Sequence, residues 1–522
     1  MILETLRVAR DFGRIHEISS ILIRYGFGDA VRRLGIANLI ESAGHVLKWN
    51  EIEDLAQLEP PARVRHALED MGPTFVKLGQ ILATRTDLFL PEWINEFKKL
   101  QDHVQTVPYE KLAVQVEDDL GAKPEEVFAE FNQQPLAAAS MSQVYKAQLQ
   151  DGSSVIVKIR RPGIRAVVEA DLRLLTQLAE IAEKEIKVLQ NYHPKEIAHQ
   201  FTLSMRRELD LTVECRNADR MAGNFSDEPN IVIPKVYWQW TSERINVQEF
   251  IDGISGNDID AIEPAGLDRK ILAQHGAEAV LKMVLEDGFF HADPHPGNCF
   301  YLSDNRIAFI DFGMVGRLSE ERREQLLRLL QGLVDKDSKR VIKVLSQWGA
   351  STPLKDRDSL SLDMDDFIDQ YHDIPINELD ISAVLSNLTT LLRDHQLNLP
   401  PDLTLFLKTF ITLDGLGRQL DPEFNMVEVA TPFIQRIFFA RYSPDALFNR
   451  GKKNLFGFAE ILIDLPRSIS QFVDAVSHNP LGVNVNIEKP EWLTKELDRI
   501  VNRLSVSLVQ QPVSSCKNNY FT

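Results

Sequence analysis

Three polar side chains in the middle of the chain have the types and spacing that a phosphate-bound divalent cation requires. Asp293 and Asn298 are five residues apart, and Asp311 follows Asn298 by thirteen residues, opening the sequence Asp-Phe-Gly. Carboxylate and amide oxygens are the ligands that Mg²⁺ prefers when it also binds phosphates. Asn298 and Asp311 are therefore predicted metal ligands, and Asp293 is predicted to orient or deprotonate the attacking group. The alternative is a pair of ordinary turns, because Asp-Pro and Pro-Gly are common turn dipeptides.

The segment between Asn298 and Asp311 is predicted to be a β-hairpin. Two short apolar runs are joined by Ser303-Asp-Asn305, which is typical of a turn between two strands. Such a hairpin would fold Asp311 back beside Asn298. The same order and spacing occur in the two-metal phosphoryl-transfer site of protein kinases, so nucleotide chemistry is the leading hypothesis.

A lysine and two carboxylates upstream are candidates for the phosphate side of this site. Lys158 follows Val-Ile-Val in a predicted strand, and a strand lysine in a cleft can neutralise nucleotide phosphates when a helix carboxylate holds it. Asp210 and Glu214 are four residues apart and are expected on one helical face, a like-charge pair that costs roughly 0.2–0.5 kcal/mol unless a cation compensates it. The alternatives are a solvated edge-strand lysine and a surface cluster neutralised by neighbouring arginines.

Length, charge and cysteine content narrow the class of protein. A chain of 522 residues is expected to form more than one structural unit. The net charge of −18 argues against nucleic-acid binding, because no positive field would attract a phosphate backbone. Cys215, Cys299 and Cys516 form no disulfide or metal-ligand pattern, which indicates a reducing compartment. The sequence predicts neither a signal peptide nor a transmembrane helix.

The elements that must position these side chains follow from the periodicity of apolar residues. Helices are predicted to about residue 130 and again over about 165–224, with two strands around Asp151-Gly152 and strand-like patterning at 231–250. The remainder is predicted to be mostly helical. This order predicts an α+β, two-lobed protein-kinase-like fold with an N-terminal helical extension and a mostly helical C-terminal lobe. The expected domains are the extension at 1–108, the N-lobe at 109–250, the C-lobe at 251–450 and a helical tail at 451–522.

Several motifs together resemble those of the UbiB family of atypical, protein-kinase-like proteins, which includes the bacterial AarF-type proteins. Lys77-Leu-Gly-Gln80 resembles the family's Lys-x-Gly-Gln signature, and Glu208-Leu-Asp210 resembles its Glu-x-Asp. Ala137-Ala-Ala-Ser140 stands where ordinary kinases have a glycine-rich loop and resembles the family's alanine-rich loop. The loops at 293–298 and 311–313 resemble its catalytic and metal loops. The resemblance extends from about residue 10 to 450.

The resemblance implies a set of site residues. Lys77 is expected to reach Glu208 and Asp210 across the site, and Lys158 is expected to pair with Glu214. The expected cofactors are ATP or ADP with Mg²⁺. The expected nucleotide-binding residues are Ala137, Ala138, Ala139, Ser140, Val144, Lys158, Glu214 and Glu249, and the expected family-motif residues are Lys77, Gln80, Glu208 and Asp210.

The expected function is that of a Mg-dependent ATPase, or of a phosphotransferase acting on a small or lipid-like acceptor, in support of ubiquinone biosynthesis. The alternative is a nucleotide-gated lipid- or partner-binding scaffold without turnover. A Ser/Thr protein kinase ranks below both, because helix is predicted soon after Asp311-Phe-Gly in place of a long activation segment. Expected partners are adenine nucleotide, a lipid or quinone precursor, a membrane surface and quinone-biosynthesis proteins, but no nucleic acid.

The expected location is the cytoplasm, with peripheral association at the inner face of the cytoplasmic membrane. Apolar helices near 433–442 are candidates for that association. The tail from Leu497 breaks into Gln510-Gln-Pro, so it is not expected to form the membrane hairpin with which many bacterial relatives in the family end.

Overall fold

The computed structural model describes most of the first 433 residues. The described residues are 2–33, 58–83, 85, 88–100, 106–185, 193–334, 337–348, 357–372, 381–395, 397, 399–426, 428–430 and 433. All of them belong to the first of two units into which the chain divides, Met1–Phe439 and Ala440–Thr522. The expected tail at 451–522, the segment 434–442 and Cys516 lie outside the described residues.

The N-terminal extension is helical in its described part. Three of its helices begin at a proline, namely Pro60, Pro73 and Pro91, where the missing N–H has no helical partner to lose. Its apolar side chains, including Phe75 and Phe97, form one core cluster that also takes in Leu174 of the next domain. The helices are α1 (Ile2–Arg24), α2 (Gly28–Arg33), α3 (Pro60–Met71), α4 (Pro73–Leu82) and α5 (Pro91–Phe97).

The N-lobe combines an antiparallel sheet with helices. Its elements are α6 (Ala113–Leu120), α7 (Pro124–Val127), β1 (Phe128–Phe131), β2 (Ala137–Ala138), β3 (Ser142–Leu149), β4 (Ser154–Arg160), α8 (Ile164–Glu185), α9 (Pro194–Glu208), α10 (Leu211–Asn224), β5 (Ile231–Val232) and β6 (Ile245–Glu249). The helix predicted to about residue 130 therefore gives way to β1. The sheet has the strand order β1-β3-β4-β6, with β2 paired to β3. Tyr145, Val157 and Val247 are fully buried in the core cluster on one face of this sheet.

The C-lobe is mostly helical and carries two small sheets. Its elements are β7 (Ile254–Ser255), α11 (Arg269–Leu281), β8 (Phe289–His291), β9 (Cys299–Leu302), β10 (Arg306–Phe309), β11 (Val315–Arg317), α12 (Glu320–Val334), α13 (Ser338–Trp348), α14 (Arg357–His372), α15 (Ile381–Asp394) and α16 (Pro401–Leu420). The predicted hairpin is formed by β9 and β10, which pair antiparallel. In its turn Asp304 and Asn305 have φ of 61° and 55°, a left-handed conformation that Asp and Asn tolerate better than most residues.

The segment after the Asp-Phe-Gly sequence is short, and α12 follows it from Glu320, as the sequence predicts. Within this segment, residues Val315–Arg317 form a strand that was not predicted, β11, which pairs antiparallel with β8. This pairing places Val315 opposite His291, two residues before Asp293. The architecture as a whole is the predicted α+β arrangement of two lobes with an N-terminal helical extension. Within the described part of the chain, no helix is both long and apolar enough to cross a membrane.

Candidate active site

A cavity of about 590 Å³ contains most of the residues that the sequence singled out. Its walls come from the N-terminal extension, the N-lobe sheet and helices, the catalytic and metal loops, and α16. The predicted residues that line it are Lys77, Gln80, Ala139, Ser140, Lys158, Glu208, Asp210, Glu214, Asp293, Asn298 and Asp311. The predicted nucleotide-binding residues Ala137, Ala138, Val144 and Glu249 are not among its lining residues.

The strand lysine and a helix glutamate form a buried ion pair in this cavity. Lys158 lies in register between Val144 of β3 and Asn246 of β6. Its Nζ is 2.8 Å from Glu214 Oε2 and 3.7 Å from Asp311 Oδ2. Burial lowers the pKa of Lys158, but the charges of Asp311 and Glu214 outweigh burial and raise the pKa above its ordinary value. Lys158 is therefore held as a cation beside two carboxylates.

Asp311 is held in a backbone conformation that is uncommon for residues other than glycine. Its φ is 59°, and its Oδ1 accepts a hydrogen bond of 3.2 Å from the backbone N–H of Gly313. The next residue is anchored by Asn217, whose Nδ2 donates to the Phe312 carbonyl oxygen at 3.0 Å. The charge of Lys158 lowers the pKa of Asp311 to about 2, against burial, which raises it. Asp311 is thus ionised at neutral pH, as a cation ligand must be.

A histidine that the sequence analysis did not single out connects the catalytic loop to the metal loop. His291 Nδ1 accepts from the backbone N–H of Asp293 at 3.2 Å, and its Nε2 donates to the Ile310 carbonyl oxygen at 3.1 Å. Burial lowers the pKa of His291, so the neutral ring that both contacts require is favoured. Asn298 Nδ2 donates to the Asp293 carbonyl oxygen at 3.1 Å, so the amide oxygen is the atom of Asn298 that could bind a cation.

A second residue without a local sequence signal reaches Asp293, the predicted catalytic aspartate, from α16. Lys408 Nζ lies 2.8 Å from Asp293 Oδ1. Burial raises the pKa of Asp293, but Lys408 outweighs burial and keeps the pKa below its ordinary value. The two residues are separated by 115 positions along the chain, so no motif spacing connects them.

The carboxylates at Glu208 and Asp210 lie where one helix ends and the next begins. Lys77 Nζ is 3.0 Å from Glu208 Oε1, which joins α4 of the extension to α9. Asp210 is the N-cap of α10, because its Oδ1 accepts from Thr212 N at 3.0 Å and from Thr212 Oγ1 at 2.6 Å. The expectation that Asp210 and Glu214 share the face of one helix is therefore wrong. Asp residues favour this capping position, so the signal was present in the sequence.

The alanine-rich loop is partly a strand. Ala137 and Ala138 form β2, opposite Val144 and Gln143 of β3. The Ala139 carbonyl oxygen accepts from Arg161 Nε at 3.0 Å. The loop therefore lies against the sheet edge, and only Ala139 and the buried Ser140 line the cavity.

Two other predicted residues have different surroundings. Glu249 ends β6 with an exposed side chain that accepts from the Lys235 backbone N–H at 3.2 Å. Gln80 Nε2 donates to the Leu100 carbonyl oxygen at 3.3 Å, so this part of the signature connects α4 to the segment after α5.

The oxygen donors in the cavity fit a hydrated Mg²⁺ that also binds phosphates. Asp311 supplies an ionised carboxylate and Asn298 an amide oxygen, and Mg²⁺ at phosphate sites typically uses only one or two protein carboxylates with waters and phosphate oxygens. Among the described residues, no group of three or more His, Cys, Asp or Glu side chains could hold a metal. A cation here would therefore depend on phosphate oxygens to complete its shell.

Comparison with known proteins identifies two family domains in this chain. Residues 99–345 match the ABC1 atypical kinase-like domain, and residues 364–425 match the UbiB helical domain. The chain is similar to "Probable protein kinase UbiB" of Pseudomonas aeruginosa, with 34% identity over 92% of this chain and 90% of the relative. It is also similar to "Protein ACTIVITY OF BC1 COMPLEX KINASE 7, chloroplastic" of Arabidopsis thaliana, with 33% identity over 87% of this chain and 63% of the relative.

Among solved structures, one of Rv3197 with erythromycin from Mycobacterium tuberculosis matches at a TM-score of 0.49 and 21% identity, covering 76% of this chain and 96% of that chain. The extent and identity of the sequence matches show that this chain belongs to the UbiB family of atypical kinase-like proteins.

Proposed function

We propose that the cavity binds ATP with Mg²⁺ and transfers the γ-phosphoryl group to water or to a small or lipid-like acceptor. The observation that carries this proposal is the Lys158–Glu214 ion pair, with Asp311 at 3.7 Å from the same lysine. A lysine held in this way neutralises the nucleotide phosphates. Asn298 and Asp311 would hold the cation, which offsets charge on the phosphate oxygens when it is bound.

Asp293 acts on the acceptor, and Lys408 acts through Asp293. The attacking oxygen forms a bond to the γ-phosphorus while the bond from that phosphorus to the β–γ bridging oxygen breaks, and ADP leaves with the electron pair. The proton of the attacking O–H passes to Asp293 or, through it, to solvent. Because Lys408 keeps the pKa of Asp293 low, Asp293 orients the nucleophile more effectively than it stores a proton.

The biological setting is a further part of this proposal. One relative is named a probable protein kinase UbiB, and by analogy the acceptor or ligand here belongs to ubiquinone or related isoprenoid-lipid metabolism. Lys77, Ile81 and Phe97 from the extension line the cavity, which supports a small or lipid-like acceptor over an extended peptide. Association with the cytoplasmic face of a membrane is part of the same proposal.

The test is phosphate release by the purified full chain with ATP and Mg²⁺, with and without anionic liposomes and phenolic quinone precursors. Removing one preorganised electrostatic group typically costs 10²–10³ in rate, so Asp293→Asn and Asp311→Asn should each lower turnover by about that factor. Asp227→Asn, in an exposed loop, is the matched control and should turn over as the wild type does. Wild-type turnover in both site variants would contradict the proposal.

A second candidate function is nucleotide-gated binding without turnover. It is favoured by the Lys77–Glu208 contact, which joins the extension to α9 at the wall of the cavity. Thermal stabilisation of the chain by ATP and Mg²⁺, with no phosphate release at any lipid composition, would select this function over catalysis.

A further inference from the structure

The lysine that contacts the catalytic aspartate comes from outside the kinase-like match. Lys408 lies in α16, within the segment that matches the UbiB helical domain, whereas Asp293 lies within the ABC1 domain match. Their 2.8 Å contact means that the helical domain contributes a charged side chain to the cavity.

One face of α16 forms part of the cavity wall. Thr404, Leu407, Lys408 and Ile411 line the cavity, and their spacing of three and four places them on one side of the helix. Thr409 is fully buried, and its Oγ1 lies 3.4 Å from the His291 carbonyl oxygen, two residues before Asp293. The helix is therefore packed against the strand that leads into the catalytic loop, so Lys408 has a defined place beside Asp293.

The charge of Lys408 matters because two anions must approach each other in the proposed reaction. The carboxylate of Asp293 would repel the terminal phosphate of a bound nucleotide. A cation adjacent to both removes that repulsion and stabilises charge on the transferred group. An ammonium has three N–H donors, and the bond to Asp293 uses one of them. His295 also faces Asp293, but its Nε2 is farther away, at 4.0 Å from Oδ2.

We infer that Lys408 binds the terminal phosphate of the nucleotide while it positions Asp293, so that the UbiB helical domain completes the phosphoryl-transfer site. The inference rests on the proposed function, because it requires nucleotide in this cavity. It assigns Lys158 to the inner phosphates and Lys408 to the terminal one. The discriminating property is therefore the preference for ATP over ADP, which differ only in that phosphate.

The experiment measures the dissociation constants of a non-hydrolysable ATP analogue and of ADP, both with Mg²⁺, on the full chain. Lys408→Met should raise the dissociation constant of the ATP analogue about tenfold, which corresponds to about 1.4 kcal/mol, and that of ADP less than about twofold. Lys408→Arg, which keeps a cation, should preserve most of the preference. Lys270→Met is the control, since Lys270 forms an exposed ion pair with Glu423 on the surface of the C-lobe.

A second variant keeps the test valid if Lys408→Met does not fold. Asp293→Asn alone should strengthen binding of the ATP analogue through lost repulsion, so it serves as the background for the comparison. Asp293→Asn/Lys408→Met leaves no carboxylate without its cation, and relative to Asp293→Asn it should weaken the ATP analogue about tenfold and ADP less than about twofold. A purely structural role for the ion pair would leave that ratio the same in the two variants. An ATP-to-ADP ratio that does not change with the residue at position 408 in either background would overturn the inference while leaving the proposed function intact. A wild-type chain that binds neither nucleotide would overturn both.

Discussion

Removal of the Lys158–Glu214 ion pair tests how strongly these two side chains stabilise each other and the folded chain. Lys158→Met leaves Glu214 without its cation, and breaking a buried pair in this way costs about 3–5 kcal/mol. The two side chains retain 15% and 8% of their exposure at the cavity wall, so we expect the lower end, about 3 kcal/mol. Burial raises the pKa of Glu214, whereas the charge of Lys158 lowers it. Without Lys158, Glu214 can take up a proton, and this also favours the lower end of the range for the free energy lost.

Substitution of the glutamate should lower the free energy of unfolding less than substitution of the lysine. In Glu214→Gln, Lys158 still has Asp311 at 3.7 Å, so the charge that remains is not isolated. The loss should be close to that of one charged hydrogen bond, about 1.5–3 kcal/mol. The double variant Lys158→Met/Glu214→Gln should lose less than the sum of the two, with a coupling of about 0.5–3 kcal/mol.

The assay is urea unfolding at pH 7.5 without nucleotide, followed by far-UV circular dichroism and by tryptophan fluorescence. Coincident transitions would show that this unit unfolds in one step, as the comparison of free energies requires. Lys270→Met and Glu423→Gln, in an exposed pair of 2.9 Å, are the matched controls and should leave the midpoint unchanged. Strictly additive losses, or a larger loss in Glu214→Gln than in Lys158→Met, would refute the reasoning.

Three further predictions concern packing, capping and thiol reactivity. Gly79→Ala should destabilise the chain by about 1–3 kcal/mol in urea unfolding, because a Cβ there would lie 2.2 Å from Leu100 Cδ1, and this outweighs a gain in helix propensity of about 1 kcal/mol. Leu100→Ala is itself destabilising because Leu100 is buried, but in that background the cost of Gly79→Ala should be smaller than in the wild type; equal stability of wild type and Gly79→Ala would contradict the contact. Asp210→Ala should lose about 1 kcal/mol through the N-cap of α10, whereas Asp210→Asn should keep most of it; equal losses would argue for charge rather than capping. Burial raises the pKa of Cys299 to about 12 and raises the pKa of Cys215 also, so neither thiol should react with iodoacetamide at pH 8 until urea is added, as peptide mass spectrometry would show; labelling of either thiol in the folded chain would contradict its burial.

The proximity of the loops at 293–298 and 311–313 could be predicted because its determinants are local. The spacing of Asp293, Asn298 and Asp311 and the turn at Ser303–Asn305 operate within about twenty residues, and hairpin geometry then limits where Asp311 can lie. The break between α9 and α10 also has a local determinant, since Asp210 stands directly before an apolar residue at a helix start and Asp is a preferred N-cap residue.

The sequence by itself determined the donor types, the short-range geometry of the two loops, the fold class and the family. Only the tertiary structure decided which distant residues contact these two loops. Lys408 contacts Asp293 because α16 packs its apolar side on the C-lobe core and Thr409 against His291, and no local propensity encodes that pairing. His291 connects two loops through backbone atoms, which carry no residue-type signal. Charges that meet across more than a hundred residues are brought together by the burial of the elements that carry them, so their partners become known only when the core is packed.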